Sequence, residues 1–301
     1  MATGRGTTGP TKRDRREEAR ETARIMREEA AKKAKRRKVV VQSSVIVGIV
    51  AVLAIIGVVV FTSVGGGTSA ANPKNMASGG ILLTAPTKAT TTPAIASGAK
   101  PTPTKMQLDG KTAHIQIWLD YQCPYCEQFE TTNNSQIKQW LQEGSATLEV
   151  HPVAILDSTQ NKQYSTRAAA AASCVANSAP DKFFDVNAAL FAKQPNEQTG
   201  TGLTNDEIIS ILKDAGVDSK TVTDCVNKQT FASFVTNMTQ DATTNSQLKN
   251  PTSGGFGTPT VFVNGERYQG GFTDAKQFAA FTAAAVKDAG SGKTITFPTA
   301  S

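Results

Sequence analysis

The chain has 301 residues, enough for one large domain or two small ones, and a formal net charge of +7 at pH 7. The positive charge is confined to one end: residues 1–38 hold 14 Lys/Arg and 6 Asp/Glu, whereas the remaining residues hold 18 and 19. The rest of the chain is close to neutral, which removes charge as an argument for a nucleic-acid-binding domain.

Residues 1–38 are predicted to form a basic cytoplasmic tail. Opposite charges stand four apart at Arg24–Glu28 and Glu28–Lys32, a spacing that supports a solvated helix. We expect this tail to set membrane topology and to contact anionic lipid, with a cytoplasmic partner or nucleic acid as the alternative. The tail has no aromatic residue, so base stacking gives the nucleic-acid alternative no support.

A transmembrane helix is predicted directly after the tail. Val39–Val64 is a run of 26 residues without a charge, long enough to cross a hydrocarbon core of about 30 Å. The basic residues before it place the N-terminus in the cytoplasm and residues from 65 onward outside the cell membrane. A cleaved signal peptide is the rival interpretation, but the apolar run exceeds the roughly 7–15 residues usual in signals.

The extracytoplasmic part divides by composition. Residues 65–105 are rich in Gly, Ser, Thr, Ala and Pro, which predicts a tether for most of this segment. The stretch GGILLT at 79–84 is an exception, and we expect it to add an edge strand to the folded domain. Residues 106–301 have the pattern of a globular domain.

The globular part begins with a strand that leads into two cysteines. Residues 113–120 (AHIQIWLD) alternate in the manner of a buried strand, and Cys123-Pro-Tyr-Cys126 opens the helix that follows. Residues 146–156 predict a second strand, and a helical insertion is expected at about 158–248. Thr260–Val263 then predicts a strand before an Asn-Gly hairpin turn, and a closing helix ends the domain.

Roles other than redox exchange are open to Cys123 and Cys126. A zinc site needs four ligands, and a cysteine hydrolase needs a base beside the thiol. The two histidines, His114 and His151, lie in predicted strands without metal-ligand spacing, so we expect neither a metal nor a cofactor. A purely structural disulfide is the strongest rival, although so short a loop constrains the unfolded chain little.

A redox role has a physical basis. The strand ends near Asp120 and the helix begins at the motif, so Cys123 lies at a helix N-terminus, where free N–H groups and the dipole favour its thiolate. Pro124 suits the first turn because its missing N–H is harmless there. Cys126, one turn later, is expected to be the buried resolving partner of an exposed Cys123.

Two motifs carry a family resemblance: D-Y-x-C-P-Y-C at 120–126 and G-T-P-T-V-F-V-N-G at 257–265. In this order, around a helical insertion, they resemble the DsbA-like thiol–disulfide oxidoreductases over about residues 106–290. The resemblance implies an α/β thioredoxin fold with an inserted helical domain, here preceded by one transmembrane helix. The membrane anchor and the second cysteine pair make the chain look most like actinobacterial members.

The resemblance also implies the site. Cys123 is the attacked sulfur and Cys126 the resolving one, while Pro259 matches a cis proline that faces them. Thr258 would pair with an extended client strand, and Pro124 and Tyr125 between the cysteines complete the client-binding set.

Cys174 and Cys225 form a second pair, inside the insertion. Thiols outside the membrane tend to be oxidised, so we predict a structural disulfide, with two free buried thiols as the alternative.

The sequence therefore predicts an anchored extracytoplasmic oxidase that inserts disulfides into exported proteins with reduced cysteines. The resemblance implies reoxidation by a membrane oxidase. Isomerase-type relatives also carry Tyr between the two cysteines and Thr before the proline, as this chain does at Tyr125 and Thr258. An isomerase or reductase is therefore the second enzymatic candidate. A membrane-tethered binding module of the same fold is the non-enzymatic alternative.

Overall fold

The computed structural model describes residues 71–198 and 200–298. The tail predicted at 1–38 and the transmembrane helix predicted at Val39–Val64 lie outside these residues. In the part of the chain that is described, no helix is both long enough and apolar enough to cross a membrane.

A six-stranded mixed sheet forms the centre of the domain, in the order β2 (Lys88–Ala89), β1 (Ile81–Ala85), β5 (Ala146–Pro152), β4 (Ala113–Leu119), β6 (Thr260–Val263) and β7 (Glu266–Arg267). The two central strands, β4 and β5, are parallel, and every other neighbouring pair in this sheet is antiparallel.

The central strand β4 is buried along its whole length because both faces of the sheet are covered. Side chains alternate across a strand, so Ile115 and Ile117 point into the main core, whereas Gln116 and Trp118 point to the opposite face. The alternation along the strand thus determines toward which face of the sheet each side chain points.

Helix α1 (Pro124–Glu143) follows β4 directly and packs on the main core. Its apolar residues Phe129, Ile137 and Leu141 lie on one helical face and are all buried. The helix ends at Gly144, whose φ of 69° is the left-handed conformation that glycine adopts readily. The chain then turns back into β5, which completes a parallel strand–helix–strand unit.

The predicted insertion is helical, as the sequence indicates. It contains α2 (Tyr164–Ser178), α3 (Phe183–Ala192), α4 (Asn205–Asp214), α5 (Lys220–Asn227) and α6 (Ala232–Thr244). A disulfide joins Cys174 on α2 to Cys225 on α5, 51 residues apart. Helix α4 begins with the reciprocal capping hydrogen bonds of Thr204 and Glu207.

The C-terminal part closes the sheet. Asn264 and Gly265 both have positive φ, as a two-residue hairpin turn requires. Helix α7 (Ala275–Ala289) follows and buries Phe278 in the main core. The final strand β8 (Ser291–Thr296) pairs with β3 (Lys105–Asp109) in a separate two-stranded sheet that the sequence did not predict.

The described part of the predicted tether differs from expectation, because much of it is folded. Strand β1 lies beside β5 rather than at the edge, which β2 occupies. Met76, Ile81 and Leu83 are fully buried, and the Asn75 side chain donates to the Ala176 carbonyl at 2.8 Å. The strand expected at 79–84 is thus present, whereas the folding of the residues around it was not predicted from the small-residue composition.

We therefore expect a chain of residues 106–301 to be less stable than one of residues 71–301. Losing the burial of Ile81 and Leu83 alone should lower the free energy of unfolding by about 3–6 kcal/mol. Urea unfolding followed by circular dichroism measures the difference. Equal midpoints for the two chains would contradict the placement of β1 in the sheet.

Candidate active site

The site is built on the turn between β4 and α1. Cys123 occupies the position that caps the helix, with extended backbone angles, and Pro124 is the first helical residue. The Cys123 N–H donates to the Asp120 carbonyl at 3.0 Å, which fixes the turn. Cys123 therefore lies where the unpaired N–H groups and the positive end of the helix dipole meet.

The two cysteines are free thiols in this structure, and both are buried. Cys126 is 1% exposed and Cys123 is 5% exposed. The expectation of an exposed Cys123 is thus wrong, because its thiol is covered by the backbone of residues 258–259. Burial raises the pKa of the Cys126 thiol well above its ordinary value, so this sulfur stays protonated.

Thr258 and Pro259 face the cysteines across the site. The peptide bond between them is cis, and the Cys123 thiol donates to the Thr258 carbonyl at 3.3 Å. The Thr258 hydroxyl is buried and finds no hydrogen-bond partner within the described residues. It is free to donate to the sulfur once Cys123 has lost its proton.

The pKa of the Cys123 thiol is lowered to about 7. The largest cause is hydrogen bonding from the Cys126 side chain, and burial opposes it. The Thr258 side chain and the backbone of Tyr125 and Cys126 lower the pKa further. At neutral pH the pair thus combines a substantial thiolate fraction at one sulfur with a protonated thiol at the other.

Tyr125 is the exposed member of the motif. Tyr125 lies in the first turn of α1 and is 58% exposed, and the centroid of its ring is 6.3 Å from that of Phe272. No other large apolar side chain in the described part of the chain is similarly exposed.

Two buried carboxyl groups near the motif were missed by the sequence reasoning. Asp120 directly follows β4, and Glu130 lies one turn beyond Cys126 on α1; burial raises the pKa of each to about 7. The sequence feature that could have indicated a buried Asp120 is its position directly after the apolar residues that end β4. For Glu130 it was the four-residue spacing from Cys126, on the buried helix face.

The two histidines considered for zinc or hydrolase roles, His114 and His151, lie on strands β4 and β5. No cluster of three or more potential metal-ligating side chains occurs among them. His151 stacks on Trp118 with ring centroids 4.4 Å apart, and His114 lies 2.9 Å from the Thr147 hydroxyl. His151 also lies 3.7 Å from a Glu149 carboxylate oxygen and 3.1 Å from the Gln116 side-chain amide.

The family model described as thioredoxin matches residues 110–284, more than half of the chain. The chain belongs to the thioredoxin family. No curated protein sequence matches it.

Solved structures place this thioredoxin-family chain among the DsbA-like proteins. A reduced disulfide bond oxidoreductase (DsbG) of Mycobacterium tuberculosis is 31% identical, with a TM-score of 0.51, covering 59% of this chain and 79% of its own. The oxidised Mycobacterium tuberculosis DsbA is 28% identical, with a TM-score of 0.50, covering 62% of this chain and 93% of its own. MdbA of Corynebacterium diphtheriae, at 18% identity and a TM-score of 0.50, covers 73% and 96% and shows the fold alone.

Thr258→Val tests the contact across the site, because it removes the hydroxyl at nearly constant shape. A hydrogen bond to a charged group contributes about 1.5–3 kcal/mol, so its loss should raise the pKa of the Cys123 thiol by about one to two units at most. Thiolate absorbance against pH measures this pKa in both proteins. Thr258→Ser, which keeps the hydroxyl, is the matched control and should retain the low pKa. An unchanged pKa in Thr258→Val would mean that the hydroxyl does not reach the sulfur.

Proposed function

We propose that this protein is an extracytoplasmic thiol–disulfide oxidase that introduces disulfides into exported proteins. In this proposal Val39–Val64 anchors the chain in the cell membrane, and the thioredoxin domain faces outward. The observation that carries the proposal is the asymmetry between Cys123, with its lowered pKa, and the deeply buried Cys126.

The reaction proceeds by two exchanges. A client thiolate attacks the Cys123 sulfur of the oxidised enzyme, and Cys126 leaves and takes up a proton. The second client thiol then attacks the mixed disulfide, so that the client gains a disulfide and Cys123 leaves as a thiolate. A leaving group with a lowered pKa departs faster, which favours the release of Cys123 in this second exchange.

Client binding is proposed at the cis segment and the exposed ring. The carbonyl of Thr258 accepts from the Cys123 thiol, so the Thr258 backbone lies where an extended client strand could pair while its cysteine reaches the sulfur. Tyr125, exposed beside Phe272, offers an apolar contact to the residue next to the client cysteine. These contacts are not specific for one sequence, which suits an enzyme with many clients.

The roles of the two cysteine pairs differ in the proposal. Cys174 and Cys225 close a long loop within the insertion and serve stability, worth on the order of 4 kcal/mol in the chain-entropy model. Cys123 and Cys126 exchange electrons. A membrane oxidase that accepts electrons from the reduced pair is the proposed reoxidation partner.

An isomerase or reductase is the second candidate, favoured by Tyr125 between the cysteines and Thr258 before the proline. The two are distinguished by supplying the enzyme with different clients. An oxidase in its disulfide form converts a fully reduced client to the native one, whereas an isomerase in its dithiol form rescues a scrambled client. A binding module does neither.

We expect Cys123→Ser to abolish oxidation of a reduced client, because the attacked sulfur is absent. Cys126→Ser should instead accumulate mixed disulfides with a client supplied in its disulfide form, because the Cys123 thiolate still attacks the client disulfide and Cys126 can no longer resolve the adduct. Non-reducing electrophoresis and mass spectrometry detect these adducts. If Cys123→Ser instead accumulated client adducts through Cys126, as many as Cys126→Ser forms through Cys123, the roles of attacked and resolving sulfur would have to be exchanged.

A further inference from the structure

Arg267 is the last residue of β7, beside the strand that begins directly after Pro259. β7 pairs with β6 so that Arg267 lies opposite Phe262, and its guanidinium carbon is 4.8 Å from the centre of the Phe262 ring. Side chains two residues apart on a strand share a face, so the guanidinium can extend along β6 from Phe262 to Thr260. The exchange chemistry described above makes no use of this arginine.

The guanidinium of Arg267 donates to oxygens of two separate segments. One nitrogen donates to the Leu248 carbonyl at 2.5 Å and to the Lys249 carbonyl at 3.3 Å, where the helical insertion ends. The other nitrogen donates to the Thr260 hydroxyl at 3.3 Å. Arg267 forms no ion pair within the described residues, so its charge is directed to these three neutral oxygens.

The Thr260 hydroxyl connects Arg267 to the turn that faces the cysteines. Thr260 is 2% exposed, and its hydroxyl donates to the Gly257 carbonyl at 2.7 Å. This hydrogen bond closes a loop over Thr258 and Pro259. The Thr258 carbonyl in turn accepts from the Cys123 thiol at 3.3 Å. A continuous series of hydrogen bonds thus links the end of the insertion to the reactive sulfur.

We propose that Arg267 is a positioning residue for thiol–disulfide exchange, which acts through the Thr260 hydroxyl to hold Thr258 in place against the Cys123 sulfur. The inference rests on the proposed redox function of Cys123, and it names what keeps the donor to the thiolate in position. Arginine suits this role because its planar fork can hold several oxygens at once, whereas a lysine ammonium on a flexible chain cannot.

A loosened turn should change the active site in a defined direction. The Thr258 side chain lowers the pKa of the Cys123 thiol, so a motion that takes the hydroxyl away from the sulfur raises this pKa. The bond from the thiol to the Thr258 carbonyl would be lost as well, which alone favours the thiolate. That opposing effect is smaller, because a neutral thiol is a weak donor and hydrogen bonds to a charge are stronger.

Thiolate absorbance against pH, measured on the full chain with Cys123 and Cys126 reduced, tests the proposal. We expect Arg267→Met and Thr260→Val each to raise the pKa of the Cys123 thiol by up to about one unit, less than Thr258→Val does. Thr260→Ser keeps the hydroxyl and should retain the low pKa. Arg267→Lys keeps the charge but not the fork, so it should raise the pKa as Arg267→Met does.

Two further comparisons separate positioning from a general loss of stability. Thr204→Ala removes the capping hydrogen bonds of α4 in the insertion, and should lower stability without moving the pKa of the Cys123 thiol. In the Thr258→Val background Arg267→Met should raise this pKa no further, because the hydroxyl that Arg267 positions is already absent. The two Thr260 variants test the same connection even if Arg267→Met does not fold.

An unchanged pKa of the Cys123 thiol in both Arg267→Met and Thr260→Val would overturn the proposal. A low pKa retained in Arg267→Lys would do so as well, because charge rather than the fork would then be what matters. A full additional rise from Arg267→Met in the Thr258→Val background would also contradict it. Oxidation of a reduced client by the wild-type protein is measured separately. If that oxidation failed while the pKa series behaved as expected, the proposed function would be wrong and the positioning of Thr258 would stand.

Discussion

The arrangement depends on stabilising negative charge at one buried sulfur. Cys123 caps α1, where the helix supplies unpaired N–H groups, and the Cys126 thiol is placed to donate to it. Burial opposes ionisation at both sulfurs, but only Cys123 has enough donors to overcome it. The two cysteines are chemically alike, and their environments give them different tasks. A stabilised thiolate favours the dithiol form, which makes the disulfide an oxidant.

The rest of the fold holds these donors in position. Strand β4, buried on both faces, delivers the turn to one end of the sheet, and its neighbour β6 begins directly after Pro259. Antiparallel pairing of β4 with β6 therefore brings Thr258 opposite Cys123. The carboxylate of Asp120 ties the same turn to the insertion through Ser165. The insertion, which carries the Cys174–Cys225 disulfide, is thus in direct contact with the active-site turn.

Local patterns in the sequence predict the elements that repeat a simple rule. Alternation over 113–119, the Asn264-Gly265 turn and the Thr204–Glu207 capping box each specify their structure without reference to distant residues. A strand at 79–84 was predicted locally, but its place inside the sheet and the burial of Cys123 depend on partners far along the chain, which no local pattern reveals. Asp120 is similar, because its donors come from three separate segments.

The most direct test of the account is the equilibrium of the Cys123–Cys126 pair with glutathione. If donors stabilise the Cys123 thiolate, the pair should be largely dithiol at glutathione ratios that leave the Cys174–Cys225 bridge oxidised. Its potential should then lie well above the roughly −300 mV below which structural disulfides typically fall. Alkylation of free thiols followed by mass spectrometry counts both pairs in one sample. A Cys123–Cys126 disulfide as resistant to reduction as Cys174–Cys225 would contradict the account.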